Sequence, residues 1–184
     1  MESSLPAFTV EQVLQATGGV LLSGNAEKVF YGVTTDSRQV KKGNLFVALQ
    51  GEKYDGHDFV ELAIEQGAAG CLVHSAVQLN LNAAGKEAAL IKVADTLQAL
   101  GDLAHDYRRR FSIPIIGLTG SSGKTTTKEM LAAILSRKKK TLTTEGNLNN
   151  LIGLPQTIFR LTGDHEIAIL EMGTNTRGEI KRLT

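Results

Sequence analysis

IPIIGLTGSSGKTTTKEMLAAIL, residues 113–135, is an apolar run that breaks into glycine, serine and threonine around one lysine and then continues with a helical pattern. The apolar run predicts a buried strand, and the spacing of apolar residues after the lysine predicts a helix. A glycine-rich turn between a strand and a helix N-terminus is an arrangement that binds phosphate groups. The stretch therefore predicts a phosphate loop inside an α/β unit.

The loop departs in one place from the strict phosphate-loop pattern, which asks for glycine, four residues and then Gly-Lys-Ser/Thr. Leu118 stands where the first glycine is expected. The physical requirements are still met, because Gly120 and Gly123 can adopt backbone angles closed to other residues, and successive N–H groups can then converge on phosphate oxygens. Lys124 can reach the β- and γ-phosphates, and the Thr125 hydroxyl can bind Mg²⁺. The predicted nucleotide-binding residues are Gly120, Ser121, Ser122, Gly123, Lys124, Thr125 and Thr126.

The composition is that of an ordinary globular protein. The 184 residues suffice for one or two domains, and 42% apolar and 21% charged residues are typical of soluble chains. A formal net charge of +1 gives no sign of a nucleic-acid partner or an anionic membrane surface. The single cysteine, Cys71, excludes an internal disulfide and fits a reducing compartment. The sequence shows no secretory signal and no transmembrane run, so we expect a cytoplasmic protein with no membrane insertion and no obligate protein partner.

Strand-like and helix-like segments alternate along the chain, which predicts an α/β fold in two domains, residues 1–93 and 94–184. In the second domain the strand-like runs IPIIGL, KTLTTE and EIAILEMG alternate with helices. This alternation with short loops favours parallel pairing in an open sheet, as in phosphate-loop NTPases.

The first domain carries local signals for its helices and strands. Thr9 and Gln12 form a predicted capping box for a short helix, and Asp58 is the expected N-cap of a second helix. The run VFYGVTTD, residues 29–36, is rich in β-branched and aromatic residues and predicts one strand.

Three further stretches narrow the class of protein. TTDSRQVKKGNLFVALQGEKYDGHDF (34–59) pairs Asp-Ser-Arg with a later Asp-Gly-His, and TEGNLNNLIGLP (144–155) is rich in side-chain amides. ILEMGTNTRGEI (169–180) leaves Glu171 at the carboxyl end of a strand, the end where open α/β sheets bind ligands. Each stretch also has a simpler interpretation: turn-forming residues, a loop and a surface charge.

TDSR, TGSSGKT, GNLNNLIGLP and LEMGTNTRGEI, in this order, resemble the bacterial Mur ligases over about residues 10–184. The Ser-Ser tip of the loop and the last two strings most resemble the family member that joins D-alanyl-D-alanine to UDP-N-acetylmuramoyl-tripeptide. The resemblance implies an ATP-dependent, magnesium-dependent ligase of peptidoglycan precursor synthesis, and hence a role in cell wall biogenesis, cell shape and cell division. The reaction it implies passes through an acyl-phosphate intermediate.

The resemblance also implies a division of labour between the two domains. The first looks like the UDP-binding domain of the family, with Ser37 and Arg38 near the uridine diphosphate of the substrate. An arginine suits a diphosphate because its planar fork of donors matches phosphate geometry.

In the second domain the resemblance assigns ATP to the phosphate loop and gives catalytic roles to Lys124 and Glu171. Thr125 and Glu171 are the implied Mg²⁺ ligands, and Asn147 and Asn150 are expected to touch substrate or phosphate. Members of the family continue well beyond the equivalent of Thr184, with a C-terminal domain that is absent from this sequence. We therefore expect a truncated fragment that is inactive alone.

Other classes of protein stay open at this point. One alternative is a Mur ligase that adds a single amino acid. A second is a phosphate-loop NTPase, such as a kinase or GTPase, with an unrelated N-terminal domain. A third is a non-catalytic module that binds a UDP-sugar through its first domain.

Overall fold

The computed structural model describes residues 5–74, 87–174 and 178–183. The chain divides into two compact units, Leu5–Leu103 and a second unit whose body is Ala104–Thr184. This division falls inside the helix Thr96–Arg108, whereas the sequence places the domain boundary just before that helix. In the part of the chain that the structure describes, no helix is long and apolar enough to cross a membrane.

The strands of the unit Leu5–Leu103 are β1 (Ala7–Thr9), β2 (Val20–Ser23), β3 (Val29–Tyr31), β4 (Val33–Thr34), β5 (Leu45–Val47), β6 (Gly70–Val73) and β7 (Ala89–Lys92). The unit is built on a five-stranded sheet with the order β2-β7-β6-β5-β4. Strands β4, β5, β6 and β7 pair in parallel, and β2 joins the edge antiparallel to β7. A separate antiparallel pair is formed by β1 and β3. The helices are α1 (Val10–Thr17), α2 (Val60–Glu65) and α3 (Thr96–Arg108), of which α3 continues into the second unit.

The core of this unit follows from its apolar strands. Every residue of β5 and β6 is buried, which is the pattern of parallel strands covered on both faces. Helix α2 packs its buried residues Val60 and Ala63 into the same cluster as Phe46, Cys71 and their neighbours. Burial raises the pKa of the Cys71 thiol to about 12, so this cysteine stays protonated and behaves as a small core residue.

The local signals of the sequence were partly right. The capping box is confirmed, since Thr9 Oγ1 accepts the Gln12 N–H at 3.1 Å and the Gln12 side chain accepts the Thr9 N–H at 2.9 Å. The single strand expected over residues 29–36 was wrong, because Gly32 adopts a left-handed φ of 87° and divides it into β3 and β4. The cap expected at Asp58 was also wrong, because a 3-10 helix, Gly56–Phe59, precedes α2.

Asp55 organises that 3-10 helix through its partner His57. The Asp55 carboxylate accepts the His57 N–H at 2.9 Å and lies 2.6 Å from His57 Nδ1. These hydrogen bonds from His57 hold the pKa of Asp55 below its usual range. The other ring nitrogen, Nε2, accepts the backbone N–H of His74 at 3.0 Å, just after β6. Both nitrogens of a buried histidine are therefore engaged, and the cluster locks the 3-10 helix to the end of β6.

The strands of the unit Ala104–Thr184 are β8 (Ile115–Leu118), β9 (Thr141–Thr143) and β10 (Ile167–Glu171), and its helices are α4 (Lys124–Leu135), α5 (Gly153–Ile158) and α6 (Glu179–Leu183). The three strands form an all-parallel sheet with the order β8-β10-β9. All five residues of the central strand β10 are buried. The predicted α/β class and parallel pairing are confirmed. The carboxyl ends of three parallel strands meet at one edge of the sheet, which is where the candidate site lies.

We predict that His57→Leu, which fills the same space without either hydrogen bond, lowers the free energy of unfolding. The loss should be about 1–3 kcal/mol, the cost of leaving buried polar groups without partners. The amide of His74 should also lose protection against hydrogen exchange. Urea unfolding and amide exchange measure these two effects. His105→Leu, at an exposed position of α3, is the matched control. An equal effect from both substitutions would contradict the stabilising role of the His57 hydrogen bonds.

Candidate functional site

A cleft of about 650 Å³ opens at the carboxyl edge of the three-stranded sheet, beside the N-terminus of α4. It is lined by polar groups from the phosphate loop, from the loop after β9 and from the end of β10. The lining residues are Ser122, Gly123, Lys124, Thr125, Thr126, Asn147, Asn149, Asn150, Glu171, Gly173 and Thr174. Residues 175–177, which belong to the string LEMGTNTRGEI, lie outside the described part of the chain.

The phosphate loop has the backbone that a phosphate site requires. Gly120 and Gly123 have φ angles of 144° and 76°, which side-chain-bearing residues rarely adopt. A Cβ added to Gly123 would meet no atom within 4 Å, so its left-handed backbone rather than crowding calls for glycine. Gly123 is the N-cap of α4 and provides no side-chain hydrogen bond to the first turn. The first N–H groups of α4 are thus left for an anion, which the helix dipole also favours.

Lys124 is the first residue of α4, and its side chain folds back over the loop. Its Nζ donates to the carbonyl oxygen of Gly120 at 2.6 Å. Lys124 is half-buried and lines the cleft. The phosphate-binding role expected for Lys124 from the sequence stays a prediction.

Glu171, the last residue of β10, is 3% exposed. Its Oε2 accepts the hydroxyl of Thr125 at 3.0 Å, and its Oε1 accepts the side-chain amide of Asn149 at 2.9 Å. Its backbone N–H donates to Thr144 Oγ1 at 2.9 Å. The carboxylate therefore stands directly opposite the phosphate loop.

The pair formed by Thr125 and Glu171 fits a magnesium ion. Both side chains offer oxygen atoms, the ligands that Mg²⁺ prefers. Two neighbouring ligands of an octahedral Mg²⁺, each about 2.1 Å from the ion, lie about 3 Å apart. The observed separation of Thr125 Oγ1 and Glu171 Oε2 is 3.0 Å.

Lys128, on the same face of α4 one turn beyond Lys124, is a buried neighbour of Glu171 that the sequence reasoning missed. It is 2% exposed, and its Nζ donates to the Thr144 carbonyl at 2.8 Å. The same atom lies 3.1 Å from Glu129 Oε1 and 3.9 Å from Glu171 Oε2. The available signal was its helical spacing, four residues after Lys124 and three after Thr125, which predicts a shared face.

The amide-rich loop contributes to the cleft in an unexpected way. Asn147 and Asn150, the two expected contacts, both line the cleft. The Asn150 Oδ1 accepts the backbone N–H groups of Ile152 at 3.1 Å and Gly153 at 2.8 Å, so it also holds the start of α5. The contact to Glu171 is made by Asn149, which the sequence did not single out.

The Asp-Ser-Arg motif lies in the unit Leu5–Leu103. Ser37 and Arg38 begin a short 3-10 helix, Ser37–Gln39, whose N-cap is Asp36. The Arg38 side chain, 85% exposed, donates through Nε at 2.9 Å and Nη2 at 2.8 Å to the two oxygens of Asp36. Hydrogen bonds from the Arg38 side chain and backbone lower the pKa of Asp36 to about 2.

Two family models match the chain. The family described as "Mur ligase family, catalytic domain" matches residues 29–108, and "Mur ligase middle domain" matches residues 118–184. The first range includes Ser37 and Arg38, and the second includes the phosphate loop and Glu171.

Relatives with one name align along nearly the whole chain. UDP-N-acetylmuramoyl-tripeptide–D-alanyl-D-alanine ligase of Bacillus subtilis is 42% identical over 96% of this chain and 38% of its own length. The ligase of the same name from Escherichia coli is 43% identical over 95% of this chain and 36% of its own length. The chain thus spans less than two fifths of these two relatives.

Solved structures agree with these sequence relatives. A crystal structure of MurF from Acinetobacter baumannii superposes with a TM-score of 0.88 at 39% identity, covering 98% of this chain and 39% of that one. MurF ligase from Thermotoga maritima in complex with ADP gives a TM-score of 0.73 at 35% identity, covering 82% of this chain and 34% of that one.

The Asp36–Arg38 pair leads to a pH-dependent prediction. Because the pKa of Asp36 is lowered in the folded chain, its contribution to stability should be present above about pH 4, the ordinary carboxyl range. It should be lost as the pH falls towards 2, the folded value. Carbon-detected NMR titration should place the Asp36 pKa near 2, and Arg38→Gln should return it towards 3.8. An unchanged Asp36 titration in Arg38→Gln would show that Arg38 is not the cause, and Arg109→Gln is the control at another exposed arginine.

Proposed function

The chain belongs to the Mur ligase family, and on this premise we propose that its two units serve the ATP-dependent joining of D-alanyl-D-alanine to UDP-N-acetylmuramoyl-tripeptide. The relatives' shared name supports the choice of substrates. Within the structure, the observation that carries the proposal is the 3.0 Å contact between the Thr125 hydroxyl and the Glu171 carboxylate, beside a phosphate loop and Lys124. Such a reaction belongs to peptidoglycan precursor synthesis in the cytoplasm.

The chemistry explains why the cleft is so polar. A peptide carboxylate is a poor electrophile, because its oxygen is a poor leaving group. Transfer of the γ-phosphoryl group from ATP breaks its bond to the bridging oxygen of ADP and forms a bond to the carboxylate oxygen, which gives an acyl phosphate. The amine of D-alanyl-D-alanine can then attack the carbonyl carbon and displace inorganic phosphate. A protein that supports this reaction must hold several anions close together.

We assign the nucleotide phosphates to the loop Gly120–Thr126 and the N-terminus of α4. The free N–H groups there bind phosphate oxygens, and Lys124 offsets the negative charge that develops on the transferred group. Thr125 and Glu171 would hold Mg²⁺, which supplies further charge neutralisation when bound. Thr125 and Asn149 fix the Glu171 carboxylate in the orientation that faces the cleft.

The remaining assignments concern UDP-N-acetylmuramoyl-tripeptide and the group that is transferred to it. Asn147 and Asn150 face the same cleft and are positioned to contact phosphate or the acyl group. Ser37 and Arg38, in the other unit, are the proposed contacts of the uridine diphosphate. The Arg38 fork already binds a carboxylate through two donors, which is the geometry with which arginine also binds phosphate.

Substrate binding separates this proposal from its alternatives. We expect millimolar ATP with Mg²⁺ to shift the amide NMR signals of residues 120–126 and 171 in a ¹H–¹⁵N spectrum of the chain. UDP-N-acetylmuramoyl-tripeptide should instead shift the signals of residues 37 and 38. A response to the nucleotide and none to the UDP substrate would favour a phosphate-loop NTPase with an unrelated first unit. Mass spectrometry of the ligation product, with D-alanyl-D-alanine set against single amino acids, tests which acceptor is used.

Lys124→Ala should weaken ATP binding at least about tenfold, since removal of one preorganised charged donor costs more than about 1.4 kcal/mol. The affinity for the UDP substrate should stay the same. Lys139→Ala, an exposed lysine after α4, is the matched control. Calorimetry with each ligand measures both affinities, and ATP binding within about twofold of the parent would remove Lys124 from the site.

Arg38→Ala should produce the opposite pattern. We expect weaker binding of the UDP substrate by about tenfold, because a charged bidentate contact is lost, and unchanged binding of ATP. Arg109→Ala is the control for the loss of an exposed positive charge. If Arg38→Ala weakened both ligands equally, or neither, Arg38 would not be a contact of the uridine diphosphate.

A further inference from the structure

Lys128 is a buried cation in the described part of the unit Ala104–Thr184, and the reaction proposed above assigns it no role. Its side chain is 2% exposed, although lysine almost never occurs fully buried without a partner. Burial of an ammonium group is costly unless its three N–H donors find acceptors. The charge of Lys128 therefore depends on the oxygen atoms that surround it.

Three oxygen atoms surround Lys128 Nζ, and they belong to three separate segments of the chain. The closest is the carbonyl of Thr144, immediately after β9, at 2.8 Å. Glu129, the next residue of α4, lies at 3.1 Å, and Glu171, at the end of β10, lies at 3.9 Å. Lys128 thus joins helix α4 to the carboxyl ends of two neighbouring strands.

Thr144 makes this arrangement a connected network. Its carbonyl accepts from Lys128, while its hydroxyl accepts the backbone N–H of Glu171 at 2.9 Å. Thr144 is itself 1% exposed, so neither contact is replaced by water at little cost. The Glu171 carboxylate is then approached from two sides, by Thr125 from the cleft and by Lys128 from the interior.

The distribution of charge among Lys128, Glu129 and Glu171 suits the binding of a cation. Lys128 lies between two carboxylates, so one positive charge meets two negative charges and the group keeps a net charge of −1. Glu129 is 69% exposed on its side chain and is well screened by solvent, whereas Glu171 is buried at the cleft. The uncompensated negative charge is therefore concentrated on the carboxylate that faces Thr125.

We propose that Lys128 is a positioning residue that holds the Glu171 carboxylate opposite the Thr125 hydroxyl, so that the pair binds a divalent cation together with the nucleotide. The inference rests on the proposed function, since it assumes that these two oxygens are the cation ligands. Lys128 itself touches neither cation nor nucleotide in this role. Its effect is on the coupling between the binding of the divalent cation and the binding of the nucleotide.

The test compares ATP affinity in EDTA with ATP affinity in Mg²⁺, measured by ¹H–¹⁵N NMR titration of the chain, which detects millimolar binding. In the parent chain Mg²⁺ should tighten ATP binding. In Lys128→Met this enhancement should fall at least about fivefold, the lower range of measured coupling between two ligands. ATP affinity in EDTA should stay within about twofold of the parent, because the phosphate loop is untouched. Broadening of the amide signals of Thr125 and Glu171 by Mn²⁺ in the presence of ATP should weaken in parallel.

Two further variants sharpen the result. Lys128→Gln fills similar space and keeps a donor for the Thr144 carbonyl, so it gives the same test if Lys128→Met does not fold. Lys128→Arg keeps the charge and several donors and should retain most of the enhancement. Glu129→Gln is the matched control, because it removes the exposed partner of Lys128 and leaves the Thr144 and Glu171 contacts in place. Its Mg²⁺ enhancement should stay within about twofold of the parent, as for an exposed ion pair.

The outcomes distinguish the two proposals. If Lys128→Met or Lys128→Gln keeps the full Mg²⁺ enhancement, Lys128 has no positioning role and the proposed function stands. Equal losses with and without Mg²⁺ would show that Lys128 only supports the fold. If the parent chain shows no Mg²⁺ enhancement, Thr125 and Glu171 do not hold the cation, and the inference and the metal assignment of the proposed function are both overturned.

Discussion

A buried carboxylate at the end of a central strand is the constraint on which the candidate site depends. Glu171 lies in the interior at 3% exposure, where an unpaired negative charge would be strongly unfavourable. Its carboxylate accepts hydrogen bonds from Thr125 of helix α4 and from Asn149 in the loop after β9, and its backbone N–H donates to the hydroxyl of Thr144. The phosphate loop and the amide-rich loop therefore have defined positions relative to each other, because each donates to one oxygen of the same carboxylate.

The sheet topology supplies these donors. Strand β10 lies between β8 and β9, although it follows both in the chain. Parallel pairing directs all three carboxyl ends to one edge, so the segments that leave β8 and β9 must pass on either side of Glu171. The segment after β8 becomes the phosphate loop, and the segment after β9 carries Asn149. A site of this kind needs no long loop, because the strand order places the polar groups together.

Two buried polar networks in this chain serve different ends. In the unit Leu5–Leu103, His57 uses one ring nitrogen on Asp55 and the other on the backbone of His74, and these contacts join two elements of the fold. In the other unit, the network around Lys128 and Glu171 is open on one side, towards a cleft of about 650 Å³. The two networks differ in what they do with charge: the first joins two elements of the fold, and the second leaves negative charge facing a phosphate loop.

The sequence by itself determined the features that depend on neighbouring residues. The strand, glycine loop and helix of residues 113–135, the parallel sheet, the capping box at Thr9 and the place of Glu171 at a strand end all follow from local pattern, and the structure contains each of them. The same kind of reasoning was wrong where a distant partner intervened, as at Asp58, because Asp55 and His57 organise that turn through His74, 17 residues away.

Only the tertiary structure revealed the contacts of Lys128 and Asn149. Their partners lie 16 and 22 residues away along the chain, and the sequence shows only a lysine on a helix and one asparagine among three. Spacing predicts which residues share a helix face or a strand edge, since helix and strand periods are fixed by backbone geometry. Which buried charges meet depends on strand order and on the packing of α4 against β10, and that is settled by contacts between segments far apart in the sequence.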